Sequence, residues 1–191
     1  MGGEEIPESA EGRAEEAAPS VAITADDVAY ILRERGWMGR AAEEAPAEVQ
    51  QWIDRAATLL GPRVSGAEEL GGLLELVFRY EAREILDSTD AQIVLGRAGA
   101  RTVIRELGRE VLAGSAVDSD RLKEIFERLK ERTGYRGREL FHPLRLALAG
   151  RAGEGELDRV ILLLDDAARL PFGARVKGTH ERMLEFCTQL D

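Results

Sequence analysis

Cysteine is nearly absent from this chain: Cys187 is the single one in 191 residues. One thiol cannot close an internal disulfide or build a cysteine cage around zinc, and such usage suits a reducing compartment, so a cytoplasmic protein is expected. Histidine is almost as scarce. His142 and His180 fall in different elements without the i, i+4 pairing of a zinc helix, and no metal site is expected. Aromatic residues make up 5% of the chain, and valine and isoleucine are scattered rather than alternating, which favours helices over a β-sandwich. No apolar run approaches the ~20 residues that cross a bilayer, and the N-terminus lacks the basic-then-apolar order of a secretory signal, so no membrane partner is expected.

Catalytic arrangements are equally thin. The glycines at 61, 66, 71 and 72 neither follow a strand nor end in Gly-Lys-Ser/Thr, so no nucleotide cradle is indicated and no cofactor is expected. Cys187 and His180 could be drawn as a nucleophile pair, but Cys187 lies on an apolar stripe, where a thiol is ordinarily inert packing. Asp165-Asp166 falls at a helix C-terminus and is expected to face solvent. Nothing here assigns a catalytic residue.

Charge is abundant and unevenly placed. The formal net charge of −10 opposes general binding of DNA or RNA, because phosphate contacts require a basic surface. Residues 1–48 hold twelve acids against four arginines, whereas residues 121–151 hold nine bases against four acids. An acidic protein with one basic face can still hold RNA at that face. Residues 1–20, rich in Glu, Ala, Gly and Pro, cannot bury enough apolar surface to order and are expected to form a mobile acidic tail.

The remainder reads as helices with clear punctuation. Thr24-Ala-Asp-Asp27 is a capping box opening a helix that Gly36 stops. Val49, Trp52, Ile53, Ala56, Leu59 and Leu60 recur at helical spacing up to Gly61-Pro62, and Ser65-Gly-Ala-Glu68 reads as another capping box before the Leu70 to Phe78 stripe. Ile93 to Val111 predicts one long helix, and Asp118 or Ser119 caps the next, which Gly134 ends. Pro143 predicts the first turn of a short helix through Leu148. A core helix follows over about Glu156 to Arg169, stopped by Pro171, and Thr179 to Leu190 predicts an amphipathic last helix. The reading is all-α, a two-lobed assembly of about eight helices: tail 1–20, first lobe 21–88, second lobe 89–170 and a helical extension 171–191.

One window concentrates recognition chemistry. Tyr135, Arg136, Arg138, Phe141, His142 and Arg145 fall within eleven residues. Single-stranded RNA is held where bases stack on rings or guanidinium planes and offer their edges. The same residues could equally be core aromatics and solubilising cations.

Two motifs in this chain carry a family resemblance. Trp52-Ile-Asp-Arg-Ala-Ala-Thr-Leu-Leu-Gly-Pro-Arg-Val64, followed by Ser-Gly-Ala-Glu-Glu-Leu70, is similar to the helix of bacterial glutamyl-tRNA synthetases that ends in Leu-Leu-x-x-Arg-Val/Phe. Leu140-Phe-His-Pro-Leu-Arg-Leu-Ala-Leu-Ala-Gly150 resembles their Leu-Phe-x-Pro-Leu-Arg-x-Ala-Leu-Thr-Gly segment. The resemblance covers residues 22–170 and implies an all-helical cage around the anticodon loop of tRNA-Glu. It places Arg63 where a guanidinium reads the last anticodon base and Arg145 at the anticodon loop. Arg136 and Arg138 become phosphate contacts, Tyr135 and His142 join the RNA surface, and Phe141 buttresses the motif. Arg63 could alternatively cap the carbonyls of the preceding helix. The family's threonine is Ala149 here, which removes a hydroxyl. The family's catalytic signatures, His-Ile-Gly-His-like and Lys-Met-Ser-Lys-like, have no counterpart in these 191 residues.

The implied function is therefore non-catalytic tRNA binding. A detached part of a glutamate-tRNA ligase, active only beside a separate catalytic synthetase subunit, and a helical protein-interaction module without RNA are the alternatives.

Overall fold

The structure is a computed structural model that describes residues 22–39 and 45–190; the expected acidic tail lies outside the described residues. Among these, ten α-helices and one 3-10 turn form, with no strand. They are α1 (Ala25–Glu34), α2 (Ala47–Leu60), the 3-10 turn Gly61–Arg63, α3 (Ala67–Phe78), α4 (Ala82–Asp87), α5 (Thr89–Leu95), α6 (Ala100–Leu112), α7 (Ser119–Thr133), α8 (Arg138–Ala149), α9 (Glu156–Ala167) and α10 (Thr179–Leu190).

The helix starts follow local chemistry. The Thr24 hydroxyl accepts from the Asp27 N–H while the Asp27 carboxylate accepts from the Thr24 N–H at 2.8 Å, a reciprocal capping box. Asp118 caps α7 by accepting from the Arg121 N–H at 2.8 Å. Ser65 departs from the sequence reading: its N–H and hydroxyl both donate to Glu69, not Glu68, because α3 begins one residue later, after Gly66.

Ten helices form where about eight are predicted, for two reasons. Residues 82–87, to which the sequence reading assigns no helix, form α4, and Ser88, accepting from the Ala91 N–H, then caps α5. The predicted Ile93–Val111 helix is broken at Gly99, which takes φ +88°, with the Tyr135 ring standing where any β-carbon would project. Pro143 also lies deeper than expected. α8 starts at Arg138, so the proline sits in its second turn and leaves the Glu139 carbonyl without its i+4 donor. Glu139 is exposed, so water can satisfy that carbonyl.

α9 is the central element. It packs against α2 and α3 on one side and α8 on the other, and seven of its twelve residues are buried. The two expected lobes therefore share one continuous apolar core. Burial of each large aliphatic side chain there contributes roughly 1.5–3 kcal/mol. An aromatic knot closes the first half: Trp37 stacks on Phe78 at 4.7 Å, and Trp52 and Phe172 meet Phe78 edge-on. The Trp52 indole N–H donates to the Leu163 carbonyl at 3.1 Å, fixing α2 on α9.

Asp165 is not a solvent-facing carboxylate. It accepts from the Val117 N–H at 2.6 Å and from the Thr179 N–H at 2.7 Å and hydroxyl at 2.8 Å. Three donors from two other segments explain its inward turn: it joins α9 to the loop before α7 and to the start of α10. Its neighbour Asp166 pairs with Arg55 of α2.

α10 is built into the core, packing on α6, α4 and α8. Its Arg182 is 0% exposed. The guanidinium donates to the carbonyls of Val77 at 2.7 Å, Leu148 at 2.9 Å and Lys177 at 2.8 Å, and lies 4.5 Å from the centre of the Tyr80 ring. Val77 and Leu148 belong to the last turns of α3 and α8, where unpaired carbonyls concentrate negative potential. One cation thus satisfies two helix ends. Burial pushes the guanidinium down to about 10, which leaves it charged at neutral pH.

Candidate nucleic-acid interface

Arg63 closes the 3-10 turn that follows α2. Gly61 lies against Ile23 so closely that an added β-carbon would stand 3.2 Å from the Ile23 Cβ, and Pro62 fixes the next φ. The Val64 N–H donates back to the Gly61 carbonyl at 3.4 Å, so the turn is closed by backbone. The Arg63 side chain is exposed and forms no hydrogen bond or ion pair among the described residues. It does not cap α2; its guanidinium presents its N–H donors to solvent.

Arg145 is placed otherwise. It is 7% exposed. Its Nε and Nη2 bind the two Asp158 oxygens at 2.8 and 2.9 Å, and Nη1 donates to the Gly153 carbonyl at 2.6 Å. The face of the guanidinium lies 5.1 Å from the Phe141 ring centre, and Phe141 meets Phe126 edge-on at 5.1 Å. Arg145 therefore ties α8 to the 150–155 loop and the first turn of α9, and its planar fork matches the carboxylate. Phe141 buttresses it.

The aromatic candidates are also engaged within the protein. The Tyr135 ring is packed over Gly99 in the α5–α6 turn, only partly exposed. His142 has Nδ1 3.4 Å from Arg97 Nη1, while Nε2 is buried and unpartnered among the described residues. Burial first, and the nearby Arg97 second, hold the imidazole below its ordinary value, so it is neutral at pH 7. Arg136 is exposed and forms no ion pair among the described residues. Arg138 is exposed and reaches only to 4.0 Å from Glu154. Ala149 is buried.

Most of the basic excess over 121–151 is neutralised internally. Glu110, 5% exposed, gathers Arg128 at 2.9 Å, Arg132 at 2.8 Å and Arg121 at 3.5 Å. Lys123 and Lys130 pair with Asp120 and Glu127 on their own helix. In that segment Arg136 and Arg151 form no ion pair among the described residues, and Arg138 only approaches Glu154 at 4.0 Å. Arg151 also acts across space: the Ser65 backbone and hydroxyl hydrogen bonds hold the Glu69 carboxyl below its usual range, and Arg151 adds to the effect.

Sequence reasoning missed Asp158, Glu110 and Arg182. Only Arg182 left a trace, as a cation beside Met183 on the apolar face of α10. No helix among the described residues is long and apolar enough to cross a membrane.

Residues 26–167 match the family model described as an anticodon binding domain. The chain is 27% identical over 139 residues to glutamate–tRNA ligase 2 of Syntrophus aciditrophicus, covering 73% of this chain and 28% of that protein. It is 29% identical over 126 residues to glutamate–tRNA ligase of Oceanobacillus iheyensis, covering 66% and 25%, and 26% identical over 126 residues to that of Bacillus subtilis, covering 66% and 26%. The chain thus spans about a quarter of the length of the curated relatives it matches. No solved structure is significantly similar. The matched span takes in α1 to α9 and holds both the exposed Arg63 turn and the Arg145 strut: this chain belongs to the anticodon-binding domain family.

Proposed function

We propose that this chain is a tRNA-binding module that recognises the anticodon loop of tRNA-Glu. The observation that carries the reading is Arg63: a guanidinium with no protein partner among the described residues, on a turn made rigid by Gly61-Pro62, at the position where the resemblance puts a base reader. A planar fork of donors can pair with two acceptors on one base edge, and a fixed backbone lowers the entropy of placing it. Arg136 and Arg138, exposed ahead of and at the start of α8, supply phosphate contacts. Arg145 acts as a positioning residue that holds α8 against the 150–155 loop, and Tyr135 and His142 support the surface from behind.

Filter-binding titrations of tRNA-Glu, tRNA-Gln and an unrelated tRNA test this. Preferential binding of tRNA-Glu that Arg63→Ala abolishes is expected; equal binding of all three would sink the proposed specificity.

A second reading rests on the coverage of about a quarter of each relative. In it, the module serves glutamyl-tRNA formation only beside a catalytic body, whether on the same or another polypeptide. Glutamylation restored by adding this chain to a truncated ligase lacking its own anticodon-binding region would support it.

A further inference from the structure

We infer that three arginines, Arg97 in the turn before α6 and Arg101 and Arg105 on α6, form a second RNA-binding surface that takes the sugar-phosphate backbone without reading sequence. The inference rests on the tRNA-binding reading above and extends it to a region that neither motif contains.

The three are spaced four residues apart, so Arg101 and Arg105 sit on one helix face about 6 Å apart along the axis. All three are exposed, and none forms an ion pair with an acid among the described residues. Arg101 donates one N–H to the Leu190 carbonyl at 3.1 Å, and Arg97 approaches His142. The remaining donors face solvent.

This contrasts with how α7 treats its cations. On α7, Arg121, Arg128 and Arg132 are drawn onto Glu110, and four i, i+3 or i, i+4 pairs neutralise the remainder of that helix. On α6 the residues three and four positions from Arg101 and Arg105 include no acid. The arrangement is unfavourable on its own terms twice over. Like charges at i, i+4 repel, and Arg101 lies in the first turn of α6, where the positive end of the helix dipole disfavours a cation. A polyanion relieves both.

Position adds to charge. The Arg97 to His142 approach joins the row directly to α8, whose first residue Arg138 belongs to the proposed phosphate contacts. At its other side Arg101 borders a depression of about 340 Å³ that Gln92 and Gln189 also line, with Asp87 at its edge. The amides can serve ribose hydroxyls, and the acid is outnumbered by the row. RNA, with regularly spaced phosphates, fits this better than an acidic peptide, because a row of cations along one edge needs no side-chain sequence from its partner.

The test is a salt series of tRNA binding with Arg97, Arg101 and Arg105 changed together to Gln, beside the same three changed to Lys, with circular dichroism confirming the helical fold. Each phosphate neutralised contributes about 0.7–0.9 to the slope of log K against log salt. The Gln variant is expected to bind tRNA-Glu and an unrelated tRNA more weakly to the same degree, with a slope shallower by about two to three, and the Lys variant to keep the slope. A Gln variant with the wild-type slope overturns the row. So does a wild-type chain that binds poly-glutamate in place of tRNA. If the wild type binds both tRNAs equally and the Gln variant still lowers the slope, the row stands and the anticodon reading fails; if the wild type binds no RNA, both fail.

Discussion

Arg63 and Arg145 belong one to each of the two sequence motifs, and the fold gives them opposite environments. Arg63 ends a backbone-closed turn with no acceptor among the described residues within reach. Arg145 sits mid-helix beneath the 150–155 loop, where the Asp158 carboxylate and the Gly153 carbonyl take three of its donors. A guanidinium carries five N–H groups and cannot shed its charge, so its role follows from which acceptors the fold supplies. Given three, it is a strut; given none, it is a contact. The same rule separates the neutralised arginines of α7 from the unpaired row along α6 and the turn before it.

Stability measurements sharpen the comparison first, and Arg182 marks its extreme. Arg182→Ala leaves two buried carbonyls and one partly buried carbonyl without this donor and empties the space beside Tyr80, so a loss of about 3–5 kcal/mol is expected in urea unfolding. Arg145→Ala strands the half-buried Asp158 carboxylate and should cost about 3 kcal/mol, with Arg145→Lys recovering less than half because an ammonium cannot span both oxygens. Arg63→Ala should stay within about 0.5 kcal/mol of wild type. If Arg145→Ala were as mild as Arg63→Ala, the strut would not exist and the contrast would collapse.

The all-α class, the capping box at Thr24, the N-cap at Asp118 and the stop at Gly134 were all legible, because each depends on residues within four positions of one another. The break at Gly99 was not. Two glycines in a helical stripe weaken it by about 1 kcal/mol each, but the ring of Tyr135, 36 positions later, decides that the helix ends. The candidate site divides along the same line. Arg63 could be singled out from its turn chemistry and motif. That Arg145 would be internal depended on Asp158 folding back from α9, and the neutralisation of the 121–151 cations depended on Glu110 one helix earlier. Charge counted along the chain does not report charge presented at the surface.

RNA binding breaks the comparison in the other direction. Arg63→Ala, harmless to stability, should reduce discrimination between tRNA-Glu and tRNA-Gln by about 1–3 kcal/mol while leaving the salt slope nearly unchanged. Asp158→Asn, mild for the fold relative to Arg145→Ala, should lower affinity for all tRNAs only through movement of α8. Competition binding with the two tRNAs at fixed salt separates these effects. Equal losses for both tRNAs on Arg63→Ala would make it a phosphate contact and not a base reader.

The smallest effect concerns how α10 is held to α4. Burial raises the Glu185 carboxyl, but the Ala82 N–H at 2.9 Å and the Lys177 ammonium at 2.7 Å outweigh it and hold the group below its usual range. Burial likewise opposes the charge on Lys177, and its bonds to Glu185 and Glu81 outweigh that too, holding the ammonium above its usual range. A depressed carboxyl contributes stability above its unfolded value and loses it as pH falls through the folded one; a raised ammonium contributes below its unfolded value and loses it as pH rises through the folded one. The pair therefore stabilises the neutral range and fades on both flanks. Relative to wild type, Glu185→Gln should show a shallower fall in Tm below about pH 4. Lys177→Met should show a shallower fall on the alkaline side and a smaller flattening of the acid limb, because the ammonium helps to depress Glu185. A Glu185→Gln profile parallel to wild type through the acid limb would mean that α10 is held by Arg182 and its apolar face alone, and that this partly buried pair, unlike Arg145, follows the fold without supporting it.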